Sequence, residues 1–385
     1  MPAEVAPARG GDAYMRQVEA LESAFGPYAD GLDEPLSDLG RHYLSRGETD
    51  KALEVFTRAM HVVRVNDGLY SERQLPLLRA TLDTYRLSGN FEALDERYDY
   101  YYNMFGAGEP PYTEPRLRAS LAYLRWQREA LRLGVGKQSG RRLLTLLRHN
   151  DDLIEEVGRD RTLALHWQID LALSQVKNYY LLQELVEEPQ PEQLYTSRHM
   201  NPGAEFGRPS QHNPLMDDLM RRRGNVVGLG ADTLEDVLLE LPQGADPELR
   251  ARLLLALADW HQWHGDFRDA ERYYVRTAST LSEAGRQDLL DQWLGEPVEL
   301  PDNGVFFQPR FGESVPEENA VAVRYSVSAS GRVRDAQLVQ EAEAEQPPDA
   351  QRILRRLRGT VFRPRWADGY AEPSAGLSRR YVWVD

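Results

Sequence analysis

Two short segments of this sequence have residue types and spacings that could perform chemistry. The first contains Gly134, Gly136, Lys137 and Gly140, and places glycines beside a lysine as phosphate-binding loops do. It departs from the GxxxxGK[ST] motif, because the first glycine would fall at residue 131 and the Ser/Thr position is residue 138, a glutamine. It also joins two predicted helices instead of following a strand. We interpret it as an ordinary interhelical loop.

The second segment is the H-x-x-H pair His261 and His264, flanked by Trp260 and Trp263. Two histidines three residues apart can share a metal ion, but no cysteine and no HExxH pattern supplies further ligands. The pair also falls at positions that a helical repeat uses for packing, so packing is the favoured interpretation. The sequence predicts no catalytic, cofactor-binding or metal site and therefore no enzyme. Catalysis by two carboxylates that lie close together by chance stays open.

The composition narrows the classes of partner. The chain has 385 residues, a formal net charge of −15, 41% hydrophobic residues and no cysteine. An acidic body of this kind argues against nucleic acid as a partner, and the lack of cysteine excludes disulfides and thiolate chemistry. No stretch approaches the apolar length of a membrane span. We expect partners to be proteins or peptides.

Apolar residues recur at spacings of three and four from residue 13 to residue 187, as in amphipathic helices. Tight turns at Gly47, Gly89 and Gly265 each separate two such helices. Around them, small residues alternate with Tyr or Phe at fixed offsets. These helical hairpins resemble the tetratricopeptide repeat (TPR), a helix pair of about 34 residues, over residues 30–105 and 250–282. The first two turns are 42 residues apart, which predicts an insertion at residues 66–71.

The TPR resemblance implies a superhelix in which the first helix of each hairpin lines a concave groove. Carried onto this sequence, it nominates partner-binding residues on three helices. They are Arg41 and Leu44 in the first hairpin, Arg79, Asp83 and Arg86 in the second, and Asp259, Gln262 and Trp263 in the third.

After Gly295 the pattern changes to the alternation of a half-buried strand, and the order β-β-α-β follows. Residues 303–385 resemble the C-terminal domain of TonB. The resemblance rests on a strand and its glycine turn (Tyr325, Gly331), a Phe-x-Pro pair (Phe362, Pro364) and Gly369. It implies a module that binds a peptide by adding it to a sheet edge, in the envelope of a Gram-negative bacterium. The membrane anchor and Pro-rich spacer of TonB are missing from this sequence, so energy transduction is not implied.

The predicted fold class is α+β multidomain. Its parts are a disordered N-terminus (1–12), a TPR-like array (13–187), a Pro- and Gly-rich loop (188–232), further TPR-like helices (233–300) and the TonB-C-like domain (301–385). Six arginines of the last domain form a basic cluster that could dock either on the acidic helices of the same chain or on an external partner. They are Arg352, Arg355, Arg356, Arg358, Arg363 and Arg365.

Together these features predict a non-enzymatic periplasmic adaptor or scaffold. The sequence does not name its partner or its oligomeric state, and it leaves open whether the protein is accessory to TonB-type transport. The periplasmic location assumes that an export signal preceded Pro2, and a cytoplasmic location is the alternative. Two other functions stay open. One is a ligand-binding or catalytic helical domain with residues 188–232 as a lid, and the other is a structural protein that associates with itself through strand pairing.

Overall fold

The computed structural model describes residues 11–136, 138–186, 214–301, 321–339, 350–367 and 369–381. The chain divides into two compact units. The first comprises residues 1–126 and 133–137, and the second comprises residues 127–132 and 138–385. The predicted disorder of the N-terminus falls mostly outside the described residues, but Gly11 and Asp12 already belong to the first helix.

The first unit is built from helical hairpins. Its helices are α1 (Gly11–Phe25), α2 (Asp33–Ser45), α3 (Thr49–Asp67), α4 (Leu75–Leu87), α5 (Phe91–Met104) and the N-terminal part of α6 (Glu114–Arg132). A short 3-10 helix, Glu72–Gln74, precedes α4. Each helix packs on its neighbour along the chain from α1 to α5, and α2 also contacts α4. The predicted hairpins are therefore confirmed.

The hairpin turns have the conformation that their residues predict. Gly47, Gly89 and Gly265 all have a positive φ, between 70° and 82°, which glycine adopts at no steric cost. Asn90 begins α5 by accepting a hydrogen bond from the backbone nitrogen of Ala93 (3.1 Å). Asp266 caps the helix that follows the turn at Gly265 in the same way. The turn residues thus end one helix and begin the next.

The small residues of the repeat allow close helix packing. A Cβ atom on Gly40 would lie 2.4 Å from the ring of Phe56, which is wholly buried. Ala52 and Ala59 of α3 are also fully buried in the same core. Contacts this short exclude any larger residue at Gly40, which is why the pattern of small and aromatic residues is a packing signal.

The second unit begins with the last residues of α6 and continues through seven further described helices before its first strand. They are α7 (Ser139–Arg159), α8 (Leu165–Leu185), α9 (Pro214–Gly224), α10 (Val226–Glu240), α11 (Pro247–His264), α12 (Phe267–Glu283) and α13 (Gln287–Leu294). Within the unit α7 packs on α8, α8 on α10 and α11, and α11 on α12.

The prediction of a loop at residues 188–232 was wrong for residues 214–232, where α9 and the start of α10 lie. Pro214 stands at the first residue of α9, where its missing N–H costs nothing. A Cβ on Gly230 would lie 2.3 Å from the ring of buried Trp260, so this glycine serves helix packing and not a turn. Residues 188–213 lie outside the described part of the chain.

The C-terminal strands are short and antiparallel. They are β1 (Val298–Glu299), β2 (Val321–Val327), β3 (Val333–Leu338), β4 (Phe362–Arg363), β5 (Arg365–Ala367), β6 (Tyr370–Glu372) and β7 (Ser374–Tyr381), with α14 (Ala350–Gly359) between β3 and β4. One sheet has the order β3-β2-β7, while β1 pairs with β4 and β5 with β6. The predicted order β-β-α-β is present, with β1 and the β5–β6 hairpin as additional strands.

Alternation along β2 sets the core of this C-terminal module, defined here as residues 321–381. Val321, Val323, Tyr325 and Val327 are buried, and they pack against Ile353, Leu354 and Leu357 of α14. The helix therefore covers one face of the sheet, and the face that carries Arg324 is exposed.

Candidate protein-binding site

The groove residues nominated in the first unit lie on the first helices of the two hairpins, α2 and α4. Arg41, Arg79 and Asp83 are exposed, and Arg41 pairs with Asp38 of its own helix at 3.3 Å. Leu44 is half-buried and packs against the core. The exposed charges fit a surface for a charged peptide, and contact with a partner stays a prediction.

Arg86 has a second role within the unit. Its guanidinium lies over the ring of Trp126 (5.7 Å to the centroid), and Trp126 stacks on Tyr98 at 5.0 Å. The indole nitrogen of Trp126 donates to Asp95 at 2.6 Å. A cation–π contact on a buried ring orders the arginine, so Arg86 is more constrained than Arg41 or Arg79.

On α11 the nominated residues contact other parts of the second unit. Gln262 donates through Nε2 to the carbonyl oxygens of Ser330 (2.9 Å) and Phe362 (3.0 Å). Trp263 lies edge-on to Tyr180 of α8 at 4.9 Å. These two side chains are therefore engaged within the second unit.

Asp259 and Arg363 form a buried bidentate ion pair between α11 and β4. Nε of Arg363 donates to Oδ1 of Asp259 at 2.9 Å and Nη2 donates to Oδ2 at 2.6 Å. The third guanidinium nitrogen donates to the carbonyl oxygen of Trp293 (2.8 Å), and the Tyr274 hydroxyl donates to Asp259 (2.8 Å). One of the six arginines of the basic cluster thus docks on the helices of the same chain, one of the two arrangements that the sequence allowed.

The five residues that carry the TonB-C resemblance lie in the core of the C-terminal module or at its turns. Tyr325 and Phe362 are fully buried, with ring centroids 5.7 Å apart, and Pro364 is also buried. Gly331 turns from β2 to β3 at a φ of +72°, and Gly369 turns from β5 to β6 at +83°. All five positions serve the fold of the module or its attachment to α11.

His264 has the packing role that its position in the repeat predicts. Its Nδ1 donates to the carbonyl oxygen of Trp260 at 2.7 Å, which leaves Nε2 to accept from Gln183 at 3.1 Å. Burial is the main cause that lowers the pKa of His264 below its ordinary value. The fold therefore favours the neutral form of this histidine.

A pH effect on stability follows. Below an ordinary histidine pKa of about 6.5, unfolded chains take up a proton that folded His264 resists, so acidification favours unfolding. We expect the free energy of unfolding to fall as pH decreases from about 7.5 to about 5.5, and His264→Gln to flatten part of that slope. Urea titrations of both proteins across this range measure the difference. Parallel pH curves would contradict the assignment.

His261 lies near two carboxylates instead of sharing a site with His264. Ligand atoms of His261, Asp266 and Asp269 lie within 4.8 Å of one another. Asp269, however, pairs with Arg272 at 2.7 Å, Asp266 caps α12, and the His261 ring stacks on Tyr273 at 5.5 Å. Each side chain has a structural role, so we assign no metal site to them.

The second unit contains a buried polar network that the sequence did not predict. Arg128 of α6 donates to Ser174 Oγ and Asn178 Oδ1 of α8, both at 2.9 Å. Asn178 donates to Asn150 of α7 (3.3 Å) and to Gln175 (2.7 Å), and all these side chains are buried. A helical face that carries Asn and Gln resembles a solvated one in sequence, so no local signal could have found this network.

One acidic residue of α7 and one of α9 are also paired. Asp151 accepts from Gln175 and from Arg222 (3.0 Å), and burial is the main cause that raises its pKa. Asp218 pairs with Arg148 (2.7 Å), the main cause that lowers its pKa. Each carboxylate thus pairs with an arginine of the facing helix, and the two pairs join α7 to α9.

Comparisons with known proteins agree with the helical part. The tetratricopeptide repeat family matches residues 36–68, which correspond to the α2–α3 hairpin. Two crystal structures of nearly identical TPR-like repeats, from a protein of Podosopora anserina described as a kinesin light chain, are each 11% identical to this chain. Each alignment covers 66% of this chain and 96% of the other, with TM-scores of 0.41 and 0.39. Scores this low add no argument to the family match. No curated protein sequence matches.

The fold and the family match define the class of this protein. It is mostly helical, with a TPR-like hairpin array and a few small antiparallel strands near the C-terminus. TPR-like arrays are a scaffold for binding other proteins. In the described segments no helix is both long and apolar enough to cross a membrane.

Proposed function

We propose that this protein is a non-enzymatic scaffold that binds protein or peptide partners through α2 and α4, the first helices of its first two TPR-like hairpins. The α2–α3 hairpin, which matches the TPR family, is the observation that carries the proposal. On α2 and the neighbouring α4, Arg41, Arg79 and Asp83 are exposed. Arginine guanidinium groups bind carboxylates with two parallel hydrogen bonds, so a peptide with acidic side chains or a free C-terminus fits this surface.

We extend the proposal to the C-terminal module and to the cell compartment. In the described residues β7 has β2 as its one strand partner, which leaves an edge where an extended peptide could add a strand. This edge, and the resemblance of residues 303–385 to the TonB C-terminal domain, support a role as a periplasmic adaptor accessory to TonB-type transport. The proposed periplasmic location rests on that resemblance alone.

The experiment reverses groove charges in the full-length chain. Deleting the C-terminal module is unsuitable, because it would leave Asp259 buried without Arg363. We expect Arg41→Glu/Arg79→Glu to reduce recovery of partners from an envelope fraction at least about tenfold, as loss of central charged contacts does. The matched control Lys51→Glu/Arg159→Glu changes the same number of charges at exposed sites elsewhere and should recover partners as wild type does.

Two results would contradict the proposal. Equal recovery by both double variants would show that the groove charges bind nothing. Native protein found in the cytosol without partners would remove the envelope role. Sequencing the N-terminus of the native protein tests the compartment independently.

A further inference from the structure

Large apolar side chains are exposed at the loop between the first two hairpins. Leu69 is 61% exposed and Tyr70 77% exposed. This loop, residues 68–71, belongs to the insertion that separates the hairpins by more than a repeat length. Val65 and Tyr28 beside it are about half exposed, and Tyr28 is tied to the end of α3 by the Asn66 amide, which donates to its carbonyl oxygen (3.1 Å). Single exposed apolar residues are ordinary, but a group on an inserted loop indicates a contact surface.

The backbone of the loop is firmly held. Gln74 is fully buried, and its Nε2 donates to the carbonyl oxygens of Leu69 (2.7 Å) and Gly68 (3.4 Å). Its Oε1 accepts from Arg64 at 2.8 Å and from the Tyr100 hydroxyl at 3.3 Å. The loop is therefore joined to α3 and α5 through one buried side chain. A preordered loop loses little entropy on binding, which favours its use as an anchor.

Acidic residues surround the loop. The guanidinium of Arg73 contacts carboxylates of Asp67 (2.8 Å), Asp33 (3.0 Å) and Asp30 (3.5 Å). Three carboxylates share one cation here, and exposed Glu72 adds a fourth negative charge. The rim of the apolar group is thus net negative, so it attracts basic groups and repels phosphates.

We propose that Leu69 and Tyr70 anchor a docking surface for a partner protein that offers an apolar socket rimmed by lysine or arginine. The two exposed side chains fill the socket, as hot-spot residues do, and the carboxylates of Asp30, Asp33 and Asp67 face its rim. A second copy of this chain would present the same acidic rim and is disfavoured by like charge. The surface is separate from the groove positions on α2 and α4.

The test places the photocrosslinking residue benzoylphenylalanine at position 70 of the full-length chain in its native cells. The same residue at Leu239 and at Tyr370, which are 82% and 73% exposed, provides the matched controls. We expect one discrete protein adduct from position 70 and none from the controls. Mass spectrometry should place the crosslink in an apolar segment flanked by Lys or Arg.

Binding to that purified partner is then measured by calorimetry. We expect Leu69→Ser/Tyr70→Ser to raise Kd at least about tenfold, and added salt to raise the wild-type Kd. Arg41→Glu/Arg79→Glu should leave it unchanged, which separates this surface from the groove. Both serine substitutions are at exposed positions, so an unchanged thermal melt confirms folding. The proposal is overturned by absence of an adduct, by equal adducts at the control positions, by a self-adduct, or by adducts to lipid or nucleic acid.

Discussion

Replacing Arg363 with methionine should destabilise the second unit by about 3–5 kcal/mol, the cost of leaving one partner of a buried ion pair behind. Methionine keeps the apolar stem of Arg363 but offers none of the hydrogen bonds that Arg363 donates to Asp259 and to the Trp293 carbonyl oxygen. The Asp259 carboxylate then stays buried with the Tyr274 hydroxyl as its remaining donor. Urea unfolding measures the loss, and hydrogen exchange of residues 360–367 shows whether β4 has separated from α11.

A set of combined substitutions provides the control. Arg363→Met/Asp259→Leu/Tyr274→Phe removes the buried charges and the stranded hydroxyl together, and buried pairs replaced by apolar residues are often neutral in stability. We therefore expect the triple variant to recover most of the loss. If the free energy of unfolding of Arg363→Met lies within about 1 kcal/mol of the wild-type value, the ion pair does not hold the module on α11.

Substituting Gly331 with alanine should be the second severe change. A Cβ at this position would lie 2.0 Å from the carbonyl oxygen of Phe362 and 2.2 Å from Nε2 of Gln262. The φ of +72° adds backbone strain of about 1–2 kcal/mol for any residue with a side chain. Because the first clash is with a backbone atom, the β2–β3 turn must move away from β4, and we expect a total loss of about 3 kcal/mol or more. Thermal and urea unfolding measure it.

Gly376 is the matched control for Gly331. Its φ is +70°, but no atom lies within 4 Å of a Cβ placed there. Gly376→Ala should therefore cost the backbone strain alone, about 1–2 kcal/mol. Adding Gln262→Ala to Gly331→Ala should recover little, because the clash with the Phe362 carbonyl remains. Equal stability of the two alanine variants would contradict the close approach.

The helical hairpins could be predicted because their information is local. Gly47, Gly89 and Gly265 mark turns by a conformation that glycine alone adopts easily. Spacings of three and four place apolar residues on one helix face whatever the helix packs against. The same reasoning placed residues 188–232, which include Gly230, in a loop, because a glycine that admits the ring of Trp260 and a glycine that makes a turn are identical in sequence.

The candidate site was predictable only in part. Arg41, Arg79 and Asp83 lie exposed on the helices that the repeat pattern indicated. The insertion was visible from the repeat spacing, but the exposure of Leu69 and Tyr70 was not. Whether an apolar side chain on a loop is buried depends on which distant groups reach it, and here buried Gln74 holds the loop backbone without covering those side chains.

By itself, then, the sequence determined the repeat hairpins, the change to strands after Gly295 and the residues at each turn, since these depend on neighbours within a few positions. Only the tertiary structure decided which surfaces stay available. It brought Arg363 onto Asp259 across 104 residues of chain and so used a nominated groove position inside the protein. A pairing of that kind has no local signature, because nearly every surface helix of this acidic chain carries an aspartate or an arginine.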